Sequence, residues 1–244
     1  MNDVFYKEKL IWEHKIRNFE KEFLSIFPDF KLPTYKINFI DTRNTPNVKY
    51  SMRVQHTKSP MTLDVNMGFM INKNFDYKAI LSHEFTHMHD FNTLLKDKES
   101  QYRSKALHLY SEYHATYIQG IYISQQAQNM QNVDIIENQI HENELYIKES
   151  IEHFSQSHKI DDWADILYGY MYYFGYINCY NYLTNSKHQM THFNFKNDTH
   201  MYTLYNFISM KIFEESFWEL CYKTQSYLDA DVKLMLIADP LKSQ

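Results

Sequence analysis

Residues 77–91 read YKAILSHEFTHMHDF, a stretch that predicts a helix with two histidines on one face. His83 and His87 are four residues apart, so they lie about 40° apart around a helix and both imidazoles can reach one ion. Glu84 lies about 100° round from His83, where it can polarise a water molecule instead of binding the ion itself. The spacing therefore predicts a catalytic zinc site, with His83 and His87 as ligands and Glu84 as the general base.

The H-E-x-x-H pattern is specific enough to outweigh coincidence. A chain of 244 residues with 13 histidines would be expected to contain it about 0.04 times by chance. Asp76, directly before the stretch, is a candidate N-cap. Apolar residues recur at helical spacing and would give the helix one face to bury: Leu81, Phe85, Met88 and Leu95.

The composition indicates a folded and mostly helical chain. Hydrophobic residues make up 44% of the sequence, and only 4 Gly and 5 Pro interrupt it, which favours long helices over a turn-rich β architecture. We therefore expect a predominantly helical α+β fold. The net charge of −5 gives no basic field, so nucleic acid is not an expected partner.

Three features predict a cytoplasmic protein without membrane spans. Cys179 and Cys221 are too few for a disulfide framework and are expected to be ordinary thiols. Residues 1–9 lack the basic start and apolar core of a secretory signal. The most apolar stretch, residues 163–183, is rich in Tyr and interrupted by Asp165, so a buried or half-buried helix is expected there.

Periodicity predicts the order of the elements. A first helix is expected at 4–27, strands at 35–40, 48–56 and 61–71, and later helices at 104–128, 132–155, 160–185 and 199–228. The strand at 61–71 runs directly into the motif helix, so it could pair with an extended peptide by strand addition. No linker is evident. We expect a core at 1–130 and a helical region at 131–244 packed on it as one structural unit.

A catalytic zinc ion needs a third protein ligand. The metzincin pattern fails because Asp90 and Thr93 stand where it requires Gly and then His or Asp. Glu112 lies 25 residues past His87, far enough for a second helix to return to the first. Four nearby residues are candidates for the third ligand: Glu99, His108, Glu112 and His114.

Around Glu112 the chain resembles the gluzincin-type metallopeptidases, in which H-E-x-x-H is followed by a helix with a ligand Glu in a pattern close to E-x-x-A-D. Residues 112–116 read EYHAT, which matches the Glu and the Ala, while Thr116 departs from the Asp. Among cytoplasmic members, the ImmA/IrrE-type peptidases, which cleave transcriptional repressors, are most similar. The resemblance covers roughly residues 61–120.

The resemblance implies a zincin-like core, made of a small antiparallel sheet, the motif helix and a ligand helix. It also implies that Glu112 completes the zinc site with His83 and His87, that Glu84 activates water, and that the substrate is a specific intracellular protein or peptide, such as a repressor or another regulator of a mobile element. The alternative is accordingly a catalytically silent zincin-fold protein that binds metal and acts as a regulator or toxin-type partner. A DNA-associated repair protease would require a local basic surface.

Two residues extend the motif. Asp90 lies on nearly the same helix face as His87, so it could accept the second ring N–H of a ligand histidine, or it is a surface residue that forms a salt bridge. His89 points away from the ligands by helical count and is expected to face solvent or to pack.

Overall fold

The computed structural model describes residues 3–41, 50–70, 76–94, 105–127, 131–157, 160–194, 205, 206 and 209. By its internal contacts the chain divides into two compact units, Met1–Leu95 and Lys96–Gln244. The strands are β1 (Tyr35–Ile40), β2 (Met52–Gln55) and β3 (Met61–Asn66). The helices of the described residues are α1 (Asp3–Ile26), α2 (Met67–Met70), α3 (Tyr77–Thr93), α4 (Lys105–Gln126), α5 (Gln131–Ser157) and α6 (Ile160–Thr184).

These elements confirm a mostly helical α+β chain with a small sheet. The predicted bounds of the first helix, the first strand, the motif helix and the next three helices agree with the structure to within about two residues. The helix predicted at 199–228 falls almost entirely outside the described residues. The predicted division near residue 130 stays a prediction.

The sheet is mixed, which corrects the prediction of an antiparallel sheet. Its order is β1-β3-β2, with β1 parallel and β2 antiparallel to β3. Because β3 is paired on both sides, the prediction that the strand before the motif helix could add an extended peptide as a further strand is wrong. Alternation of apolar residues reports which face of a strand is buried, but it does not specify the strand's partner or direction.

The strand before the motif helix is also shorter than predicted, because the chain turns at Asn66. The Asn66 side chain accepts a hydrogen bond from the Gly68 backbone N–H at 3.0 Å and donates one to the Tyr50 carbonyl at 2.9 Å. A short side chain that bonds the backbone two residues ahead favours a turn over an extended strand. Residues 67–70 therefore form α2 instead of continuing β3.

An aromatic cluster fixes α3 in the first unit. Phe85 of α3 is fully buried, and its ring stacks on Phe19 at 6.0 Å and meets Phe23 edge-on at 5.4 Å. Tyr35 of β1 contacts the same ring at 6.1 Å. Aromatic burial of this kind contributes several kcal/mol, so the helix that carries the motif is held by its apolar face.

The start of α3 is capped as predicted. The Asp76 side chain accepts hydrogen bonds from the backbone N–H groups of Lys78 at 3.1 Å and Ala79 at 3.2 Å. These bonds satisfy two of the donors that the first helical turn leaves without a partner. The cap therefore stabilises the first turn of the helix that carries His83 and His87.

In the second unit, two glycines allow α4 and α6 to approach closely. A Cβ atom on Gly175 would lie 2.7 Å from Thr116 Cβ and 2.8 Å from the Tyr113 carbonyl oxygen. A Cβ atom on Gly120 would lie 2.9 Å from Cys179 Sγ. Positions 116 and 120 of α4 thus face positions 175 and 179 of α6, so the two helices run parallel. Within the described part of the chain, no helix is long and apolar enough to cross a bilayer.

Candidate metal centre

The structure brings together three of the predicted ligand residues. One ligand atom from each of His83, His87 and Glu112 lies within 4.8 Å of the other two. All three side chains are half-buried, and the two imidazole rings meet edge-on with centroids 4.6 Å apart. In the part of the chain that the structure describes, this is the one group of three or more His, Cys, Asp or Glu residues that could hold a metal ion.

The donor set fits zinc. Two imidazole nitrogens and one carboxylate oxygen form a typical set of three protein ligands at a catalytic zinc ion. With bonds of about 2.0–2.1 Å, the ligand atoms of a tetrahedral zinc ion lie about 3.3 Å apart, which is inside the 4.8 Å limit that the three atoms satisfy.

The other candidates for the third ligand are not part of the group. His108 lies one turn before Glu112 on α4 and is half-buried, but it is outside the group. His114 is also half-buried, and its ring contacts that of Tyr110 at 5.5 Å. Glu99 lies outside the described residues. The proximity of Glu112 to the two histidines is what its predicted role requires.

Glu84 is held by a backbone group that sequence reasoning missed. Its side chain is only 8% exposed, and its Oε2 atom accepts a hydrogen bond from the Val54 N–H at 2.8 Å. Directly before β2, the Ser51 carbonyl accepts a hydrogen bond from the Asn66 N–H at 2.9 Å. Because bonding direction alternates along an antiparallel strand, the backbone groups of Ser51 and Arg53 point toward β3. The N–H of Val54 therefore points to the outer edge of β2, where Glu84 accepts it.

The hydrogen bond between Val54 and Glu84 could not be predicted from the sequence. The donor is a peptide N–H, which every residue except proline carries. Only the strand register, in which Val54 pairs with Leu63, determines that this N–H points outward.

A second contact links the end of β2 to the motif helix. The His56 ring stacks face to face on Phe91, with centroids 4.0 Å apart and planes within 5°. Phe91 lies one turn past His87, and its ring centroid is 6.5 Å from that of His87. His56 thus occupies the same side of α3 as the histidine pair, one turn further along the helix.

The two residues that extend the motif have different environments. Asp90 is only 1% exposed, so the interpretation of it as a surface residue is wrong, and its predicted contact with a ligand histidine stays a prediction. His89 packs, as expected: its Nδ1 accepts the Lys31 N–H at 2.8 Å and its ring stacks on Phe30 at 4.3 Å. His89 therefore anchors the segment after α1 to the motif helix.

Thr116, which departs from the gluzincin pattern, has a packing role. It is fully buried on α4, and its Cβ faces the backbone of Gly175. The residue one turn after Glu112 thus lies in the close contact between α4 and α6. This contact fixes the helix that presents the Glu112 carboxylate.

Comparisons with protein-family models, with curated proteins and with solved structures give no significant match for this chain.

Proposed function

We propose that this chain is a zinc-dependent metalloendopeptidase of the gluzincin type, most similar to the ImmA/IrrE peptidases, that hydrolyses a specific intracellular protein. The observation that carries the proposal is the approach of His83, His87 and Glu112 to within 4.8 Å of one another. Glu84, adjacent in sequence to the first ligand, supplies the carboxylate that hydrolysis requires.

The three ligand residues would hold zinc through two nitrogens and one oxygen. Zinc, when bound, supplies Lewis acidity that promotes ionisation of water near neutral pH and polarises a carbonyl group. Two helices would hold the ligand residues in place. The capped and buried helix α3 orients the two histidines, and α4, which packs against Gly175, orients Glu112.

Glu84 would act as the proton carrier. Its Oε2 is engaged by the Val54 N–H, which leaves Oε1 to take a proton from the attacking water. The water oxygen bonds to the carbonyl carbon, the π electron pair moves to the carbonyl oxygen, and Glu84 holds the proton. When the carbonyl re-forms, the C–N bond breaks and Glu84 returns the proton to the amine nitrogen. The products are one carboxyl and one amino terminus.

The outer edge of β2 would bind the substrate backbone. β2 lies at one edge of the described sheet, and its outward groups alternate with those that pair with β3. The Val54 N–H is taken by Glu84, so an extended peptide added at this edge would use the other outward groups of β2 and would pass beside that carboxylate. This moves the predicted strand addition from β3 to β2.

The substrate class follows from the resemblance and is part of the proposal. A transcriptional repressor or another regulator of a mobile element is the candidate, and the chain would act in the cytoplasm. The rival is a catalytically silent protein of the same fold that binds metal and acts through its surface.

The substitution Glu84→Gln distinguishes an active peptidase from a catalytically silent metal-binding protein. The amide keeps an oxygen that can accept the Val54 N–H, but it cannot carry the proton, so zinc content should equal that of the wild type while cleavage falls by about 10²–10⁴-fold. The measurement is mass spectrometry of new protein N-termini in host cells that produce each form, beside zinc analysis of the purified proteins. Identical sets of N-termini with full zinc content would instead support the silent protein.

A further inference from the structure

Arg53 carries a positive charge on the edge strand β2. Val54 is buried, and consecutive side chains of a strand point to opposite faces, so Arg53 lies on the other face of the sheet. Asp64 of β3 pairs with Arg53 in the strand register and shares that face. The Arg53 side chain is 55% exposed. An accessible guanidinium group thus lies one residue from the backbone N–H that Glu84 engages.

Two contacts restrict the Arg53 side chain. Its Nη2 atom lies 3.6 Å from Oδ2 of Asp64, and its guanidinium carbon lies 4.4 Å from the centre of the Tyr50 ring. The face of an aromatic ring attracts a cation electrostatically. The charge of Arg53 is therefore held beside β2 instead of moving freely in solvent.

Asp64 does not use the hydrogen-bond donors of Arg53. The buried Asp64 carboxylate accepts hydrogen bonds from the side-chain amides of Asn38, at 2.9 Å, and of Gln55. A guanidinium–carboxylate hydrogen bond is about 2.7–2.9 Å long, so the separation of 3.6 Å is an ion pair without such a bond. In the part of the chain that the structure describes, the Arg53 guanidinium donates no hydrogen bond. Arg53 can therefore bind a second carboxylate through these donors.

An extended peptide at the outer edge of β2 would place one side chain beside Arg53. Residues directly opposite each other on neighbouring strands share a face, with Cβ atoms about 4.5–5.5 Å apart. Glu84, the proposed base, lies against the next residue, Val54. The side chain opposite Arg53 therefore belongs to a residue within about two positions of the bond that would be cleaved.

We propose that Arg53 selects an acidic side chain in the substrate, an Asp or Glu on the residue that lies opposite Arg53 when the peptide extends β2. The inference rests on the proposed function and on strand addition at β2. An acidic side chain at this position forms an ion pair with the guanidinium group, whereas Lys or Arg is repelled. Because the ion pair is partly exposed, it favours an acidic over a neutral side chain by up to about 5-fold.

The first experiment identifies the preferred residue at each position of the substrate. Peptides from a chymotrypsin digest of a host-cell lysate are incubated with the full-length, zinc-loaded wild type, and mass spectrometry identifies the new termini. One position within about two residues of the cleaved bond should be enriched in Asp and Glu and depleted in Lys and Arg. One cleaved peptide is then synthesised with either Glu or Gln at that position.

The second experiment assigns the preference to Arg53. The wild type should cleave the Glu peptide with a kcat/KM up to about 5-fold higher than the Gln peptide, through a lower KM at unchanged kcat. Arg53→Gln should cleave the two peptides equally, while Arg53→Lys, which keeps the charge, should retain the preference. Lys36→Gln is the matched control, because Lys36 is exposed on the same face of the sheet but lies on β1, about 10 Å from β2.

Salt provides a test that needs no variant. In about 1 M NaCl the preference of the wild type for the Glu peptide should largely disappear, because salt screens an exposed ion pair.

Four results would overturn the inference. Cleaved peptides without an acidic position exclude it and leave the proposed function intact. A preference for Glu that persists in Arg53→Gln, or in the wild type at high salt, assigns the selection to another cause. Loss of the preference in Lys36→Gln shows a general charge effect of the sheet face. Absence of any cleavage by the zinc-loaded wild type removes the proposed function and the inference together.

Discussion

The backbone N–H of Val54 donates a hydrogen bond of 2.8 Å to Oε2 of Glu84. The bond joins the edge strand β2 to the motif helix α3 and restricts the rotation of a carboxylate that is only 8% exposed. A general base is effective only when it lies within hydrogen-bond reach of the proton it removes. The edge strand therefore restricts the position of the carboxylate that we propose as the base.

Glu84→Asp should show whether the position of the carboxylate matters in addition to its charge. Glu84→Asp keeps a carboxylate but withdraws it by one methylene, so the bond to Val54 should be lost and kcat should fall by about 10- to 100-fold. Zinc content should not change. The measurement is the rate of cleavage of the substrate identified with the Glu84→Gln comparison, and Glu142→Asp on the exposed face of α5 is the control. A wild-type rate would show that the Val54 contact does not position the base.

Removing the cap of α3 should destabilise the protein. Asp76→Ala leaves the N–H groups of Lys78 and Ala79 without their acceptor, which should cost about 1 kcal/mol in the free energy of unfolding. Asp76→Ser retains a capping oxygen and should recover most of that loss. The measurement is urea unfolding followed by circular dichroism, and equal stability of Asp76→Ala and wild type would contradict the role of the cap.

A side chain at Gly175 should be poorly tolerated. Gly175→Ala places a methyl group 2.8 Å from the Tyr113 carbonyl oxygen, a backbone atom that cannot rotate away. Such overpacking costs about 1–3 kcal/mol, which exceeds the gain of about 1 kcal/mol in helix propensity.

Gly169→Ala is the matched control for this substitution. Its nearest neighbours are side-chain atoms of Ile147 at 3.0 Å and Tyr146 at 3.2 Å, which can shift. Thermal unfolding should show a clear loss for Gly175→Ala and a much smaller change for Gly169→Ala. Similar Tm values for the two variants would contradict the close contact between α4 and α6.

The buried thiol of Cys179 should make stability fall at alkaline pH. Burial raises its pKa to about 12, whereas an exposed thiol has a pKa of about 8.5. Between these values the unfolded state has lost the proton and the folded state has kept it, so stability decreases as pH rises, by up to about 1.4 kcal/mol per pH unit.

Cys179→Ala isolates this contribution from that of the buried tyrosines. Its unfolding free energy should decline less steeply from pH 9 to pH 11 than that of the wild type, as measured by urea titrations at several pH values. Parallel declines in the two proteins would show that the Cys179 thiol ionises in the folded state as readily as in the unfolded one.

The sequence predicted best those features that depend on residues within a single helix. The spacing of His83 and His87, the cap at Asp76 and the apolar residues of α3 all act within one helix, so periodicity predicted them. Glu112 could be proposed because α4 follows α3 in the chain and residues 112–116 resemble a known pattern, although residue spacing alone left four candidates open.

Features that depend on contacts between distant parts of the chain could not be predicted from the sequence. The parallel pairing of β1 with β3 and the central place of β3 depend on contacts between strands about 25 residues apart, which alternation does not encode. The bond from Val54 to Glu84 uses a peptide N–H, and the close contact between α4 and α6 depends on Gly175 facing Thr116. Each of these requires the register between two elements.

The most direct test is zinc affinity, measured by competition with a chelator and by metal analysis after dialysis. The wild type should retain one zinc ion per chain, while Glu112→Gln should bind zinc at least about 10-fold more weakly because one of three protein ligands is lost. His108→Gln, one turn away on the same helix, should bind as the wild type does. Full zinc affinity in Glu112→Gln, or its loss in His108→Gln, would contradict the assignment of His83, His87 and Glu112 as the metal centre.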